Sequence, residues 1–163
     1  KQMAAALQYL KEHQLFEYDD LAAKTDAATE LFHTLAGDIQ QTEVELSRVS
    51  DLMAAVVQYA KTRPAFDGYK AAKYSRKYLA EHEAVLADYR AAKATMAELL
   101  GGEKLPKMDV LKEKRRQLAA RKKALYLEYH KAQQDMRELV AVKGSVDHLR
   151  GLTDNQRNKE QAR

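Results

Sequence analysis

The side chains that most often carry catalysis or bind metals are scattered along this sequence of 163 residues. Its five histidines form neither a His-x-His pair nor an HExxH motif, and Glu30 with His33 provides its one Glu-x-x-His pair. A di-metal helical bundle needs two such pairs and glutamates from two further helices, so we expect no metal site. His82 falls on an apolar stripe, where we expect a packed or hydrogen-bonded histidine.

Motifs that activate a nucleophile or hold a phosphate are also missing from the sequence. It has no glycine-rich phosphate loop and no Gly-x-Ser-x-Gly elbow. A tyrosine nucleophile needs support from a cation or metal, and the sequence names no such set for any of its nine tyrosines. We therefore expect no catalytic residue, no cofactor and no enzymatic activity in this chain.

Anion binding by clustered lysine and arginine is the chemistry that the sequence favours. The net charge is +4, and residues 61–78 hold six bases and one acid. Aromatic residues interleave these bases, and the combination suits both phosphate contact and base stacking. In the alternative interpretation, the aromatic residues pack a helix junction and the bases are solvated. The candidate nucleic-acid-binding residues are Lys61, Arg63, Lys70, Lys73, Arg76, Lys77, Tyr69 and Tyr74.

A second basic cluster, over residues 112–123, holds seven bases and one acid. An up-down-up bundle would place this cluster beside the acidic residues of 17–30, so ion pairs between helices are expected. At 100° per residue, three of its bases nevertheless share an outer helix face. This secondary basic patch consists of Lys112, Arg116 and Lys123.

Apolar residues repeated in steps of four and three predict the helices that position these side chains. The pattern from Leu21 to Ala60 predicts a helix over 18–61, which Pro64 is expected to end. A short helix over 64–73 should follow. Ser75 is expected to cap a second long helix that ends at Gly101 and Gly102, and a third is predicted over 107–149.

These segments predict an all-α fold, an elongated, coiled-coil-like antiparallel bundle of three long helices with a short N-terminal helix. We expect residues 1–16 to pack on the bundle end, with Leu15 and Phe16 in the connection. Residues 17–150 form the bundle, and 151–163 are a polar tail, either a frayed helix or disordered. The weak second apolar column of the third helix favours a monomer, although the sequence leaves the oligomeric state open.

The location of the protein is predicted from what the sequence lacks. It has no cysteine, no apolar run of the roughly 18 to 20 residues that a membrane span needs, and no leader of the secretory type. We therefore expect a cytoplasmic protein without membrane insertion. The first residue is Lys1 rather than methionine, which suggests a piece of a longer protein.

Several stretches resemble the helical C-terminal region of relaxases of the MobA/VirD2 type, which occur on conjugative and mobilisable elements of bacteria. The resemblance covers most of the chain, and its "YAKTR", "YSRKYLAEHE" and "KLPK" pieces are more specific than generic heptads. The stretches are 58–63, 69–83, 104–107, 126–139 and 146–149.

The resemblance implies a longer protein that nicks plasmid DNA at its transfer origin and passes through a type IV secretion channel into a recipient cell. Relaxase chemistry uses a tyrosine and a metal-binding histidine cluster in an N-terminal domain, and neither motif occurs here. The resemblance therefore implies a non-catalytic module that binds DNA, relaxosome proteins or the secretion machinery. The alternative is a structural coiled-coil scaffold for protein–protein interaction, unrelated to DNA.

Overall fold

The computed structural model describes residues 1–12 and 18–162, and in these ranges it contains helices and turns but no strand. The all-α prediction is therefore confirmed, while the expected roles of Leu15 and Phe16 lie outside the described residues. By their contacts the residues divide into two compact units, 1–40 with 123–163 and 41–122. The helices are α1 (Gln2–Glu12), α2 (Tyr18–Ala71), α3 (Arg76–Glu81), α4 (Glu83–Leu100) and α5 (Met108–Gln161).

The core of the first unit joins three helices. Ala6 of α1 is buried together with Leu21 of α2 and with Leu139 and Val142 of α5. Further along α2, the ring of Phe32 stacks on Tyr129 of α5, with ring centroids 4.9 Å apart. Rising residue numbers on α2 thus meet falling numbers on α5, so the two helices run antiparallel within this unit.

The core of the second unit joins the later part of α2 to α4 and to the beginning of α5. Its buried side chains are Val49, Leu52, Met53, Leu111 and Leu118, and Met96, Leu99 and Leu100 of α4 pack against them.

The direction of α5 in the second unit differs from the up-down-up expectation. Here α5 again runs antiparallel to α2, and Lys122 lies 3.7 Å from Glu43. The expectation that the cluster 112–123 lies beside 17–30 is therefore wrong, since its neighbours are residues 43–53 of α2. A heptad stripe specifies which face of a helix is buried but not the direction of the helix that covers it.

Proline 64 does not end the first long helix, because α2 continues through it to Ala71. The separate helix predicted over 64–73 is therefore wrong as well. A proline inside a helix costs about 3 kcal/mol, since it removes one hydrogen bond and crowds the preceding turn. Tyr59 and Phe66, seven residues apart, both stack on Tyr89 of α4 and hold the two sides of Pro64 in one helical register.

The remaining helix ends agree in part with the predictions. Ser75 caps α3 by accepting the Tyr78 amide at 3.4 Å, and Gly101 ends α4 with φ of 55°. His82 divides the expected second helix into α3 and α4. α5 continues beyond residue 149 to Gln161, which agrees with the helical alternative for the polar tail. The segment beyond residue 151 lacks an apolar period but is rich in Gln, Arg, Lys and Glu, which favour helix.

Most of the apolar stripe predicted on α2 is buried or half-buried, and Ala60 is its one exposed position. Thr25 lies on this stripe, 6% exposed, and its hydroxyl donates to the Leu21 carbonyl oxygen at 2.7 Å. A buried hydroxyl without a partner would be destabilising. The bond back to its own helix therefore lets threonine take a core position.

A polar network links α2 to α5 in the first unit. The Tyr18 hydroxyl donates to Asp147 Oδ1 at 2.5 Å, Lys143 Nζ donates to Asp147 Oδ2 at 2.9 Å, and the Arg150 guanidinium lies 3.9 Å from the centre of the Tyr18 ring. The hydrogen bonds from Tyr18 and from Lys143 lower the pKa of the Asp147 carboxyl. The network therefore favours the charged form of Asp147 in the folded protein.

We expect Asp147→Asn to destabilise the protein at neutral pH and to have a smaller effect in acid. Because the pKa of Asp147 is lower in the folded than in the unfolded chain, its contribution is complete above the unfolded value of about 3.9 and is lost as the pH falls through the folded value. Urea unfolding of both proteins at several pH values measures this difference. Tyr18→Phe should act in the same direction, and an Asn effect that is constant with pH would contradict the assignment.

Candidate nucleic-acid interface

The chain turns from α2 into α3 through two residues in the left-handed region. Lys73 has φ of 55° and Tyr74 has φ of 59°. The Tyr74 amide donates to the Tyr69 carbonyl at 3.0 Å and the Lys73 amide to the Lys70 carbonyl at 2.9 Å. This is a Schellman motif with lysine where glycine is usual. Each side chain costs about 1–2 kcal/mol in this conformation, yet the motif fixes the backbone of both residues.

Aromatic rings pack the base of this junction. Tyr59 and Phe66 stack on Tyr89 with ring centroids 5.2 and 4.4 Å apart. Tyr89 is buried, and its burial, followed by its hydrogen bond with Tyr59, raises the pKa of its hydroxyl. Tyr59 and Phe66 are half-buried against Tyr89, so these three rings support the junction from within the second unit.

Tyr78 attaches α3 to α2. Its hydroxyl donates to the Ala65 carbonyl oxygen at 2.8 Å, and its ring stacks on His82 at 3.9 Å. The ring lies directly over Gly68, where a Cβ atom would overlap the tyrosine hydroxyl and lie 3.0 Å from Cζ. His82 is half-buried and its Nδ1 lies 2.9 Å from the Tyr78 carbonyl oxygen, so it is packed and hydrogen-bonded as the sequence predicts.

All six bases of the predicted site are exposed, and five of them gather at the junction. On α2, Arg63 and Lys70 are seven residues apart and share a face, where their charged groups lie 6.0 Å from the rings of Tyr59 and Phe66. Lys61 lies about 160° around the helix from Arg63, so it does not join them. The remaining set is called the basic corner: Arg63, Lys70, Lys73, Arg76 and Lys77, with Tyr69 and Tyr74.

The two tyrosines of the basic corner differ in exposure. Tyr69 is half-buried, with its ring 5.9 Å from Tyr78, whereas Tyr74 is 56% exposed. Their own rings are 5.2 Å apart and almost perpendicular, at 80°. The structure therefore assigns Tyr69 to the support of the corner and Tyr74 to its surface.

The secondary basic patch is also exposed but is divided between the two units. Lys112 and Arg116 belong to the second unit and Lys123 to the first. Arg116 is paired with Glu113 on its own helix at 2.8 Å, and the hydrogen bond from Arg116 lowers the pKa of Glu113. This pairing leaves Arg116 less available to an outside anion than Lys70, Lys73, Arg76 and Lys77, which take part in no ion pair among the described residues.

Sequence reasoning found the bases of the corner and predicted a helix end at residue 73, two residues after the observed end at Ala71, with Ser75 as the next cap. It did not predict the left-handed backbone of the turn, because neither Lys73 nor Tyr74 is a residue type that favours positive φ. In residues 1–12 and 18–162, no group of three or more His, Asp or Glu side chains could hold a metal ion. None of the helices within these ranges is both long and apolar enough to span a membrane.

Comparison with known proteins identifies no relative of the chain, since no family model, curated protein or solved structure matches it. The evidence for a nucleic-acid interface is therefore the geometry and charge of the basic corner.

We expect Lys73→Gly to raise the free energy of unfolding by about 1 kcal/mol, because glycine adopts positive φ without the steric cost of a Cβ atom. Urea unfolding followed by circular dichroism measures the change. Lys77→Gly is the matched control: it removes the same side chain from a regular turn of α3 and should lower stability by about 1 kcal/mol. A loss of stability in Lys73→Gly would show that contacts of the lysine outweigh its backbone strain.

We expect Gly68→Ala to destabilise the protein by about 1–3 kcal/mol, because the new methyl group overlaps the Tyr78 ring. Gly37→Ala is the control on the same helix: it meets no atom within 4 Å and should gain up to about 1 kcal/mol. Tyr78→Phe removes the overlapping hydroxyl. The double variant Gly68→Ala with Tyr78→Phe should therefore lose less stability than the sum of the losses in the two single variants. Equal stability of the two alanine variants would contradict the Tyr78 placement.

Proposed function

We propose that this chain is a non-catalytic module of a conjugative relaxase, and that it binds DNA through the basic corner during processing or transfer of a mobile element. The resemblance of its sequence to the helical C-terminal region of MobA/VirD2-type relaxases supports the family. The exposed bases at the α2–α3 junction support the contact with DNA. Nicking of DNA would then belong to another part of a longer protein.

The observation that carries the proposal is the lack of internal neutralisation at the basic corner. Within the described part of the chain, its one ion pair joins Arg63 to Asp67 at 3.9 Å, with both side chains about 60% exposed. Such a surface pair contributes at most about 1 kcal/mol. Lys70, Lys73, Arg76 and Lys77 take part in no ion pair among the described residues, so their charges are open to phosphate groups.

The physical consequence is binding that depends on salt. Each phosphate neutralised by a lysine or arginine releases counterions, so the logarithm of the affinity falls with the logarithm of salt concentration. For five contacts the affinity should drop by about two to three orders of magnitude between about 50 and 200 mM salt. The number of exposed bases at the corner thus predicts a measurable slope.

Relaxosome or type IV secretion proteins are further proposed partners. In the same proposal α5 packs antiparallel to α2 in each unit, with the apolar stripes inside and the polar faces outward. The outer face of α5, including Lys112 and Arg116, would then be open to a protein partner.

A structural scaffold unrelated to DNA is the second candidate function. The observation that favours it is the burial of the apolar stripe of α2 against α5 in each unit, which is typical of coiled-coil-like proteins. A scaffold has no need of an unneutralised basic corner. It would show no binding to DNA at low salt.

We expect the double variant Lys70→Glu with Lys73→Glu to weaken DNA binding at least about 10-fold at low salt and to reduce the salt slope by about 2, because two phosphate contacts are lost. Fluorescence anisotropy of a labelled oligonucleotide over a salt series measures both quantities. Lys24→Glu with Lys93→Glu is the matched control, since it changes the net charge equally at exposed positions outside both basic patches. Equal losses in the two double variants, or no binding by the unmodified protein, would favour the scaffold.

A further inference from the structure

Tyr74 stands apart from the other aromatic residues of the protein. Within the described ranges it is the one aromatic side chain that is mostly exposed, at 56%. A large ring at the surface costs free energy in water unless something covers it. Its immediate neighbours in the sequence, Lys73 and Ser75, are polar, and the ring of Tyr69 lies 5.2 Å from it.

The geometry of the Tyr69–Tyr74 pair leaves a face of Tyr74 open. Perpendicular rings place the edge of one against the face of the other, so whichever ring provides the edge, Tyr69 covers at most one face of Tyr74. The remaining face can receive another planar group. The rings of Tyr59, Phe66 and Tyr78 differ, because each is already stacked within the protein.

The backbone holds this open ring in place beside positive charge. The Tyr74 amide is anchored to the Tyr69 carbonyl at 3.0 Å, and the preceding residue is an exposed lysine. Arg76 and Lys77 follow within three residues and are exposed as well. An aromatic platform fixed among cations is the combination that binds the bases and the phosphates of a single strand together.

The cations of the corner can contact either kind of nucleic acid. Arg76 is exposed and takes part in no ion pair among the described residues, so it can meet the phosphates or the base edges of a duplex. Nucleobases in a double helix are stacked on each other, so the open face of Tyr74 can be used only by an unpaired nucleobase.

We propose that Tyr74 is a base-stacking residue, which makes the basic corner select single-stranded over double-stranded nucleic acid. This inference rests on the proposed function. In either kind of nucleic acid, phosphates contact the surrounding lysines and arginines. A nucleobase stacked on Tyr74 supplies the preference for unpaired strands. Tyr69 acts as a positioning residue, since its ring supports Tyr74 from the side.

The first test compares a labelled oligothymidylate of about 20 nucleotides with a labelled duplex of the same length, using the full chain. Tyr74→Ala should weaken binding of the single strand roughly 5- to 100-fold and leave duplex binding almost unchanged. Tyr74→Phe retains the ring and should restore tight binding of the single strand. Equal effects of Tyr74→Ala on both probes, or failure of the phenylalanine variant to restore binding, would overturn the proposal.

A second measurement covers the case in which Tyr74→Ala disturbs the fold. The chain has no tryptophan, so Tyr74→Trp introduces a single fluorophore at the corner. Unlabelled oligothymidylate should quench its emission by stacking, and the duplex should quench it much less. Val44→Trp is the control, at an exposed position between Glu43 and Glu45, and its emission should not change. Equal quenching of both fluorophores would overturn the role of Tyr74.

The outcomes separate this inference from the proposed function. If both probes bind with a steep salt dependence that Lys70→Glu with Lys73→Glu reduces, while Tyr74→Ala has no effect, the DNA-binding function holds and the stacking role fails. If neither probe binds at low salt, the proposed function fails and the inference fails with it.

Discussion

The stack of Tyr59, Tyr89 and Phe66 is the interaction on which the basic corner depends. It holds α2 helical across Pro64, so that the helix carries Lys70 and its neighbours on to the turn at Lys73. The two stacked pairs contribute about 1–3 kcal/mol beyond the burial of their surface. Together with the burial of Tyr89, worth about 1.5–3 kcal/mol, this is enough to offset the cost of an internal proline. Without that stack the chain would be expected to turn earlier and to scatter the bases.

The acidic residues of the protein are distributed so that few of them lie near the lysines and arginines of the basic corner. Residues 17–60 hold nine acids and two bases. Their described part, 18–60, lies on α2 and precedes Arg63 and Lys70 on the same helix. In the second unit, Lys122 of the other basic cluster lies beside Glu43, within this acidic part of α2. The corner has only Asp67, which is itself exposed. The protein therefore offers one group of bases to solvent while another is partly compensated within the fold.

The sequence predicted which face of each long helix is buried better than it predicted the direction of α5 or the ends of the helices. Periodicity placed Leu21 and Val49 in cores because a heptad stripe reports which side of a helix is covered. It could not give the direction of α5, since an apolar stripe accepts a partner running either way. The helix through Pro64 depends on a ring contributed by α4, and the turn at Lys73 and Tyr74 uses residues that show no preference for it. Such features arise from tertiary contacts, which no local pattern contains.

For the candidate site, the sequence predicted which residues belong to it but not the position and role of each one. Six bases and their tyrosines could be named from clustering alone, but only the fold shows that Lys61 lies on another face of α2. It also shows that Tyr69 supports the surface and Tyr74 forms it.

The most direct test of the central claim is a nuclear magnetic resonance titration of the isotope-labelled chain with an oligonucleotide at low salt. Binding at the basic corner predicts that the largest amide shifts fall within residues 69–77 and that they diminish as salt is added. Shifts confined to the acidic part of α2 or to the α1–α5 region of the first unit, or no shifts at all, would contradict it.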